Sequence, residues 1–283
     1  MSENEINTQQ DMTLPVIPLR GMAILPDTII HFDLNREASI RALEFAMVRG
    51  GTLFLTAQKD PDVEKPKPEQ LCRIGTTAQV KQITKLPGQV VRVLVESRYR
   101  GKLLEINEEN TKFLEARVQV IPEEEELSEE EQVLQEAMLR QVKELFAQFA
   151  VHYPRLDKNA MQRYANMKSL GRLLDQIAMN LPTDYEKKQQ ALETIEVKKR
   201  YELLCVHLQR EIEIAVAREE LAQKIKGRVE KNQKEYLLRE QLRYIKEELG
   251  DEGSFSDADQ FEEALSKLQA SEEVKAKIKK EIG

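Results

Sequence analysis

Residues 183–249 read TDYEKKQQALETIEVKKRYELLCVHLQREIEIAVAREELAQKIKGRVEKNQKEYLLREQLRYIKEEL, without a proline and with Gly227 as the one glycine. Such a stretch predicts a single helix, which would extend about 100 Å at ~1.5 Å per residue. Thr183 followed by Glu186 is the pattern of a capping box at the helix start. Gly250 would end the helix, because glycine often occupies the position that follows a helix C-terminus. Because this helix exceeds a small domain, we expect the chain to be organised around it.

The predicted helix has apolar residues spaced for packing only towards its two ends. With steps of three and four residues, the two apolar stripes are Tyr201, Leu204, Leu208, Ile212 and Ala215, and then Leu238, Leu242, Ile245 and Leu249. Between them, residues 226–235 offer only Val229, and Gly227 disfavours a helix by ~1 kcal/mol relative to alanine. We therefore expect the two stripes to pack and the middle to be the most mobile part of the helix, or a bend in it.

Length and composition indicate a soluble, helix-rich chain of about two domains. Of its 283 residues, 41% are hydrophobic and 33% are charged, and the net charge is −7. Residues 123–126 and 129–131 are all acidic and account for this charge, because the remaining acids equal the 43 basic residues in number. The acidity is therefore local, as in a linker followed by a helix N-terminus. It gives no support to nucleic-acid binding, which needs a basic patch.

The sequence shows no signal for export or for membrane insertion. Residues 1–12 are polar and lack the apolar segment of a signal peptide. No run of about 18 apolar residues is present, so no transmembrane helix is predicted. Cys72 and Cys205 are far apart and form no disulfide or zinc pattern. We expect a cytoplasmic protein without a membrane partner.

A β-rich domain is predicted over residues 13–121, after a disordered tail over residues 1–12. The predicted strands cover residues 28–33, 52–57, 71–74, 76–85, 89–96, 101–106 and 112–121. Strands at this spacing favour a small barrel-like or sandwich sheet.

Two local patterns refine this domain. Pro15 and Pro18 argue against a central strand over residues 14–21, and favour an edge strand or an extended segment. Asn35 is placed to cap the domain's one helix, over residues 36–49.

A helical bundle is predicted over residues 122–182, before the long helix of 183–249. Ser128 and Glu131 form a second capping-box pattern, at the start of a helix that runs to about Val151. The further predicted helices cover residues 159–167, 170–180, 255–268 and 271–282. The predicted fold class is α+β: a β-rich, barrel-like domain with one helix, then a helical bundle merging into a very long helix.

No pattern of residues indicates catalysis. The phosphate-binding G-x-x-x-x-G-K-[ST], G-x-G-x-x-G, H-E-x-x-H and C-x-x-C motifs are absent. His31, His152 and His207 lie in three different segments, and Cys205 lies two positions from His207 on the long helix, where the two face different ways. We predict no catalytic, cofactor-binding or metal-binding residues.

The candidate substrate-binding segment comprises residues 18–26. Its members are Pro18, Leu19, Met22, Ile24, Leu25 and Pro26. Its apolar residues follow neither a two-residue nor a 3.6-residue period, so some of them are expected to face water. An exposed apolar patch is uncommon on soluble monomers and would suit a protein that recognises unfolded chains. The alternative is that the segment folds back and closes one end of the barrel.

Four motifs resemble a known family. They are LPVIPLRG at residues 14–21, AQKDPDV at 57–63, VVRVLVE at 90–96 and QKEYLLREQLRYIKEELG at 233–250. In this order they resemble the N-terminal region of the Lon family of ATP-dependent proteases, and the resemblance covers about residues 13–283. Ser97 stands where a glycine is usual in the family and Ser271 where a proline is usual.

The resemblance implies a substrate-recognising and recruiting region whose partners are unfolded or degron-bearing proteins, including misfolded, damaged and short-lived regulatory ones. The family's members are hexameric AAA+ machines that unfold proteins with ATP and magnesium and cut them with a Ser–Lys dyad. The ATPase and protease parts would follow Gly283, with residues 250–283 leading towards them. The chain is thus expected to be a fragment of a serine endopeptidase, without catalysis or a cofactor of its own.

Two other functions remain open from the residues alone. The long helix is also typical of a coiled-coil scaffold that spaces or oligomerises its ends. The basic residues Lys226, Arg228, Lys231 and Lys234 form a short strip on the helix. That strip is a solvated face or a contact for an acidic or phosphate-bearing partner, with nucleic acid the least favoured interpretation.

Overall fold

The computed structural model describes residues 11–107, 110, 112–122, 128–153 and 158–248, with residues 158–160 described by their backbone alone. Two compact units divide the chain between Ala215 and Val216. Within the described residues, the first unit contains one sheet and its helices, and the second is the remainder of the last helix. The predictions for residues 1–10, 123–127 and 249–283 lie outside the described residues.

Six strands form one sheet in the first unit. They are β1 (Asp11–Leu19), β2 (Ile29–Leu34), β3 (Thr52–Ala57), β4 (Ile74–Leu86), β5 (Val90–Ile106) and β6 (Glu115–Ile121). Their order is β2-β5-β4-β3-β1-β6, and an additional pairing of β5 with β6 closes five of them into a barrel with β2 beside β5. All pairs are antiparallel except β1 with β3. The predicted barrel-like domain is confirmed.

β1 accommodates two prolines although it lies between two strands. It pairs with β6 along its first half and with β3 along its second. The Val16 N–H donates to the Leu114 carbonyl, on the β6 side, over 2.8 Å. Backbone nitrogens alternate between the two sides of a strand, so the Pro18 nitrogen faces β6 and the Pro15 nitrogen faces β3. Pro18 lies after the last residue of β1 that pairs with β6, and Pro15 lies before the first residue that pairs with β3. Neither proline removes a ladder bond, so the prediction against a central strand was wrong.

One long strand replaces two predicted ones at Gly101. Residues 89–96 and 101–106 were predicted separately, but β5 runs through both. Gly101 pairs with Gly75 of β4, and the buried ring of Phe54 lies against both. An added Cβ would lie 2.8 Å from this ring at Gly101 and 2.6 Å from it at Gly75. The glycines are therefore needed for close packing inside the barrel and do not mark turns.

Helix α1 (Glu37–Val48) follows β2 in the chain and packs against β1 and β3 of the barrel. Its N-cap residue is Arg36, which makes no capping hydrogen bond through its side chain, so the predicted cap at Asn35 was wrong. The barrel core includes Ile17, Leu19, Ile24, Leu43, Leu53, Leu55, Val93 and Val95.

Five further helices follow: α2 (Glu129–His152), α3 (Lys158–Asn166), α4 (Leu170–Asn180), α5 (Tyr185–Glu193) and α6 (Val197–Glu248). The capping box at the start of α2 is confirmed. Ser128 Oγ accepts from the Glu131 N–H, and Glu131 Oε2 accepts from the Ser128 N–H over 2.8 Å.

The predicted helix over residues 183–249 is two helices. α5 begins at Tyr185 with Asp184 as N-cap and no side-chain cap, so the predicted capping box was also wrong. After Glu193 the chain leaves the helix, and the Thr194 hydroxyl donates to the Gln190 carbonyl over 2.7 Å. Thr194 and the following isoleucine are β-branched and lose rotamer freedom in a helix, which favours the break here. α6 then continues through Gly227 without interruption.

A buried ionic cluster joins the barrel to the helices. Arg100 of β5 donates two hydrogen bonds of 2.6 Å to the Asp175 carboxylate of α4, and its Nε donates to the Leu192 carbonyl over 3.1 Å. Arg200 of α6 lies 3.5 Å from the same carboxylate. Asp175 and Arg200 are 0% and 1% exposed. The barrel and the helices that follow β6 are therefore packed against each other through this buried cluster.

Candidate functional site

A groove of about 630 Å³ opens beside the first turn of α1. We call it the α1 groove. Its walls are formed by the end of β1, the start of α1, residues 64–66, Asn110 and residues 112–114. Its size falls within the range of about 300–1,000 Å³ that is usual for ligand sites.

Arg36 lines the groove, because β2 ends at Leu34 and the chain turns directly into α1. Its Nη2 donates to Gln58 Oε1 over 2.6 Å and to the Val63 carbonyl over 3.3 Å. Gln58 is fully buried, and its Nε2 donates to the Val63 carbonyl over 2.8 Å. This network fixes one edge of the guanidinium and the loop after β3.

The other edge of the guanidinium is unused. Nη1 of Arg36 is buried and has no hydrogen-bond partner among the described residues. Burial and the nearby Arg20 lower the pKa of Arg36, whereas Glu64 acts in the opposite direction. An arginine nevertheless stays protonated in proteins, so Nη1 of Arg36 is a buried charged donor without an acceptor among the described residues.

Basic side chains exceed acidic ones around the groove. The basic lining residues are Arg20, Arg36, Arg41, Lys65 and Lys112, and the acidic lining residues are Glu37 and Glu64. Glu37 is engaged in an ion pair with Arg41 one turn along α1. Within the described part of the chain, no carboxylate pairs with Arg20, Lys65 or Lys112, and all three are exposed.

One wall of the groove is apolar. It contains Val16, Pro18, Phe113 and Leu114. The Phe113 ring is held by the ring of Phe45, with centroids 4.9 Å apart. The groove thus offers an apolar surface beside a positively charged one.

A second cleft of about 350 Å³ adjoins the α1 groove and shares Pro18, Arg20 and Arg36 with it. Part of the predicted substrate-binding segment lies here, because Pro18, Leu19 and Met22 line this cleft. Pro18 and Met22 are partly exposed, whereas Leu19 is 5% exposed. Binding of a substrate by these residues remains a prediction.

The rest of that segment is core. Ile24 is 2% exposed in the barrel core, Leu25 is 0% exposed among the helices, and Pro26 is buried. Their irregular backbone can be buried because hydroxyls satisfy it: Thr76 Oγ1 donates to the Ile24 carbonyl, and Ser97 Oγ donates to the Leu25 carbonyl over 2.6 Å. The expectation of exposed apolar side chains is therefore wrong at Ile24 and Leu25, which are both buried.

Sequence reasoning missed Arg36 and Phe113. Arg36 lies at the start of α1 and Phe113 lies after the turn at Asn110, so only the tertiary structure brings the two residues to one groove. In that turn, Asn110 Oδ1 accepts from the Lys112 N–H over 3.1 Å. The one available signal was Gln58, a polar residue directly after the β-rich TLFLTA segment.

The described residues contain no group of three or more metal-ligating side chains. Burial raises the pKa of the Cys72 thiol to about 11, with Glu193 adding to the effect, so the thiol is protonated at neutral pH. Burial also raises the pKa of Cys205. None of the helices in the described part of the chain has both the length and the apolar character that crossing a bilayer requires.

Comparison with known proteins gives consistent matches. The family model described as the ATP-dependent protease La (LON) substrate-binding domain matches residues 13–210. The chain is 41% identical to a Lon protease of Lachnoclostridium phytofermentans over 95% of this chain and 33% of that protein. It is 38% identical to a Lon protease of Clostridioides difficile over 97% of this chain and 35% of that protein. The chain thus spans about a third of the length of these curated relatives.

A solved structure shares the fold. The N-terminal domain of a Mycobacterium avium complex Lon protease superposes with a TM-score of 0.58, covering 70% of this chain and 98% of that one. The two sequences are 19% identical, so this likeness concerns the fold alone.

Proposed function

Because the chain belongs to the Lon protease family through its substrate-binding domain, we propose that it recognises and recruits protein substrates for a Lon-type ATP-dependent protease. The substrates we propose are misfolded, damaged and short-lived regulatory proteins, presented as unfolded or degron-bearing segments. One observation carries the proposal: the α1 groove, open and partly apolar, lies within the residues that match the substrate-binding domain.

Catalysis is assigned to other parts of a longer parent protein. We propose that the parent is a cytoplasmic serine endopeptidase with a Ser–Lys dyad and an ATPase that uses ATP and magnesium. The chain's coverage of about a third of its relatives supports this division. The purified chain is expected neither to hydrolyse ATP nor to cleave casein.

Binding to an unfolded polypeptide tests the proposal. A fluorescein-labelled protein is offered to the full chain in its native form and in a reduced, unfolded form, and binding is followed by fluorescence anisotropy. We expect saturable binding of the unfolded form only. The control protein is an unrelated helical protein of similar size and net charge. Equal binding of both forms, or no binding of either, would contradict substrate recruitment.

A second function, self-association, is favoured by the part of α6 within the second unit. Six large apolar side chains there are between 52% and 65% exposed: Tyr236, Leu237, Leu238, Leu242, Tyr244 and Ile245. Exposed apolar side chains in such density are typical of an interaction surface. We propose that they contribute to the homo-oligomer, a hexamer in the parent. Sedimentation velocity should show a mass above that of the monomer, and the L238D/L242D variant should sediment as a monomer.

Nucleic-acid binding receives less support. Among the basic residues of the strip on α6, Lys226 lies 3.9 Å from Glu230 and Lys231 lies 3.9 Å from Glu235. These acids weaken the positive field along this face, and we expect no DNA binding at physiological salt.

A further inference from the structure

β2 is the one strand of the described sheet with an unpaired edge. It pairs with β5 alone, whereas each of the other five strands pairs on both sides. The Ser97 N–H donates to the Thr28 carbonyl over 2.9 Å, so the backbone of Thr28 faces β5. Because backbone groups alternate along a strand, the N–H and C=O groups of Ile29, His31 and Asp33 point away from β5. None of these groups has a hydrogen-bond partner among the described residues.

The second cleft lies along this edge. Four consecutive residues of β2, from His31 to Leu34, line it. The side chains of His31 and Asp33 lie on the exposed face of the strand, and those of Phe32 and Leu34 lie on its buried face. A cleft lined by residues of both faces lies at an edge of the strand, and β5 occupies the other edge. The cleft therefore provides space beside the unpaired backbone groups.

The edge of β2 lacks the devices by which exposed edges usually avoid pairing with another chain. Its sequence IIHFDL contains neither lysine nor proline, and its pairing with β5 has no bulge. The carboxylate of Asp33 is engaged by Arg92. Ile29 is 66% exposed, so an apolar side chain stands at the start of the edge. The edge is therefore open to a further strand.

A row of free N–H and C=O groups is complementary to an extended polypeptide backbone, which carries the same groups at the same spacing. The cleft adds a preference for apolar side chains. A ligand residue opposite Phe32 would direct its side chain to the buried face of β2. Leu19 and Met22 belong to the same core as Phe32, and all three residues line the cleft. An unfolded protein offers such segments, whereas a folded protein has already paired its backbone groups.

We propose that β2 binds an extended segment of a protein substrate as an added antiparallel strand, through the backbone groups of Ile29, His31 and Asp33. The inference rests on the proposed function, because it states how the chain holds an unfolded substrate. Recognition depends on the backbone and on apolar side chains at alternate positions, so one edge serves many sequences. Because the second cleft adjoins the α1 groove, a longer segment can continue into that groove.

Backbone methylation of the ligand tests the proposal without altering the chain. Two fluorescein-labelled peptides have the same alternating apolar and polar sequence, with N-methyl groups on the apolar residues in one and on the polar residues in the other. In the added strand, the polar residues lie opposite Ile29, His31 and Asp33 and direct their N–H groups to β2, whereas the N–H groups of the apolar residues point away.

Anisotropy titrations with the full chain compare the two peptides. We expect the peptide methylated at its polar residues to bind about tenfold more weakly than the other, equivalent to ~1.4 kcal/mol. The peptide methylated at its apolar residues should bind as the unmethylated peptide does. Equal binding of the two methylated peptides, or the reverse order, would refute an antiparallel strand on β2.

A substitution in β2 assigns the binding to this edge. H31P removes one N–H of the free edge and leaves the hydrogen bonds with β5 in place, since proline is tolerated where the N–H faces away from the sheet. It should weaken binding of the unmethylated peptide about tenfold. H31V is the matched control, because it removes the imidazole and keeps the N–H, and it should bind as the unaltered chain does. Circular dichroism melting shows whether each variant is folded, and the methylated peptides decide the question if H31P is not.

The outcomes separate this inference from the proposed function. If the chain binds unfolded polypeptide, but folded H31P binds as H31V does, strand addition is refuted while recruitment stands. If the chain binds no unfolded polypeptide at all, the proposed function itself fails. A second copy of the chain is the other possible occupant of the edge. A lower mass of H31P than of H31V in sedimentation velocity would show such pairing and overturn the inference.

Discussion

Replacing Asp175 by asparagine should strongly destabilise the first unit. The carboxylate accepts two hydrogen bonds of 2.6 Å from Arg100 and lies 3.5 Å from Arg200, and all three side chains are at most 4% exposed. Asparagine keeps the shape of the side chain but removes the negative charge that the Arg100 and Arg200 guanidinium groups contact. Breaking a buried ion pair in this way costs about 3–5 kcal/mol.

The loss is measurable by thermal and urea unfolding. For a unit of about 200 residues, each kcal/mol lowers the melting temperature by about 2–4 °C, so D175N should melt about 6–20 °C lower. Far-UV circular dichroism is the suitable signal, because the chain contains no tryptophan.

A matched control isolates the effect of burial. Asp33 also makes a bidentate contact, with Nε and Nη2 of Arg92 at 2.7 and 2.9 Å, but both side chains are more than 40% exposed. D33N should therefore lower the melting temperature by only a small fraction of the D175N shift, since water screens the exposed pair. If D175N and D33N destabilise the chain equally, the cluster does not stabilise the junction between the barrel and the helices as argued.

Three further predictions concern other parts of the chain. The double variant I24D/L25D should fail to fold, judged by circular dichroism, because both side chains are at most 2% exposed and buried unpaired charges are unfavourable; a folded variant would contradict their place in the core. Limited trypsin digestion should cut first at residues 226–234, where packing is absent, and leave a stable core ending near Ala215; early cuts within the barrel strands would refute this order. Alkylation of Cys72 by iodoacetamide should still accelerate between pH 10 and about 11, because its thiol has a pKa of about 11, whereas an ordinary thiol with a pKa of about 8.5 approaches its limiting rate near pH 10; a plateau near pH 10 would be inconsistent with its burial.

The sequence correctly predicted structural elements that depend on residues close together in the chain. Ser128 and Glu131 cap α2 as expected, because a capping box needs only residues three positions apart. The equivalent pattern at Thr183 does not form a cap, and the break near Thr194 was not foreseen. Its position depends on packing, since Leu192 before the break and Tyr201 after it lie in the same core.

Tertiary pairing decided what the sequence alone left open. Two prolines fit inside the sheet because β1 changes partner between them, and the sequence carries no sign of that change. The apolar run at Ile24 and Leu25 looked unpaired, yet hydroxyls from β4 and β5 satisfy its carbonyls. The α1 groove was missed for the same reason: Arg36 and Phe113 are distant in sequence and meet only in the folded chain.

Site-specific photo-crosslinking tests most directly whether the chain recruits protein substrates through the α1 groove. A benzoylphenylalanine is placed at Ala38, an exposed residue of the groove, or at Lys102, an exposed residue outside both clefts. On illumination with a labelled unfolded polypeptide, the chain altered at Ala38 should form a crosslink that an excess of the unlabelled unfolded polypeptide displaces, and the chain altered at Lys102 should form little. Equal crosslinking at both positions, or none at Ala38 while the polypeptide is bound, would contradict the assignment of substrate recognition to this groove.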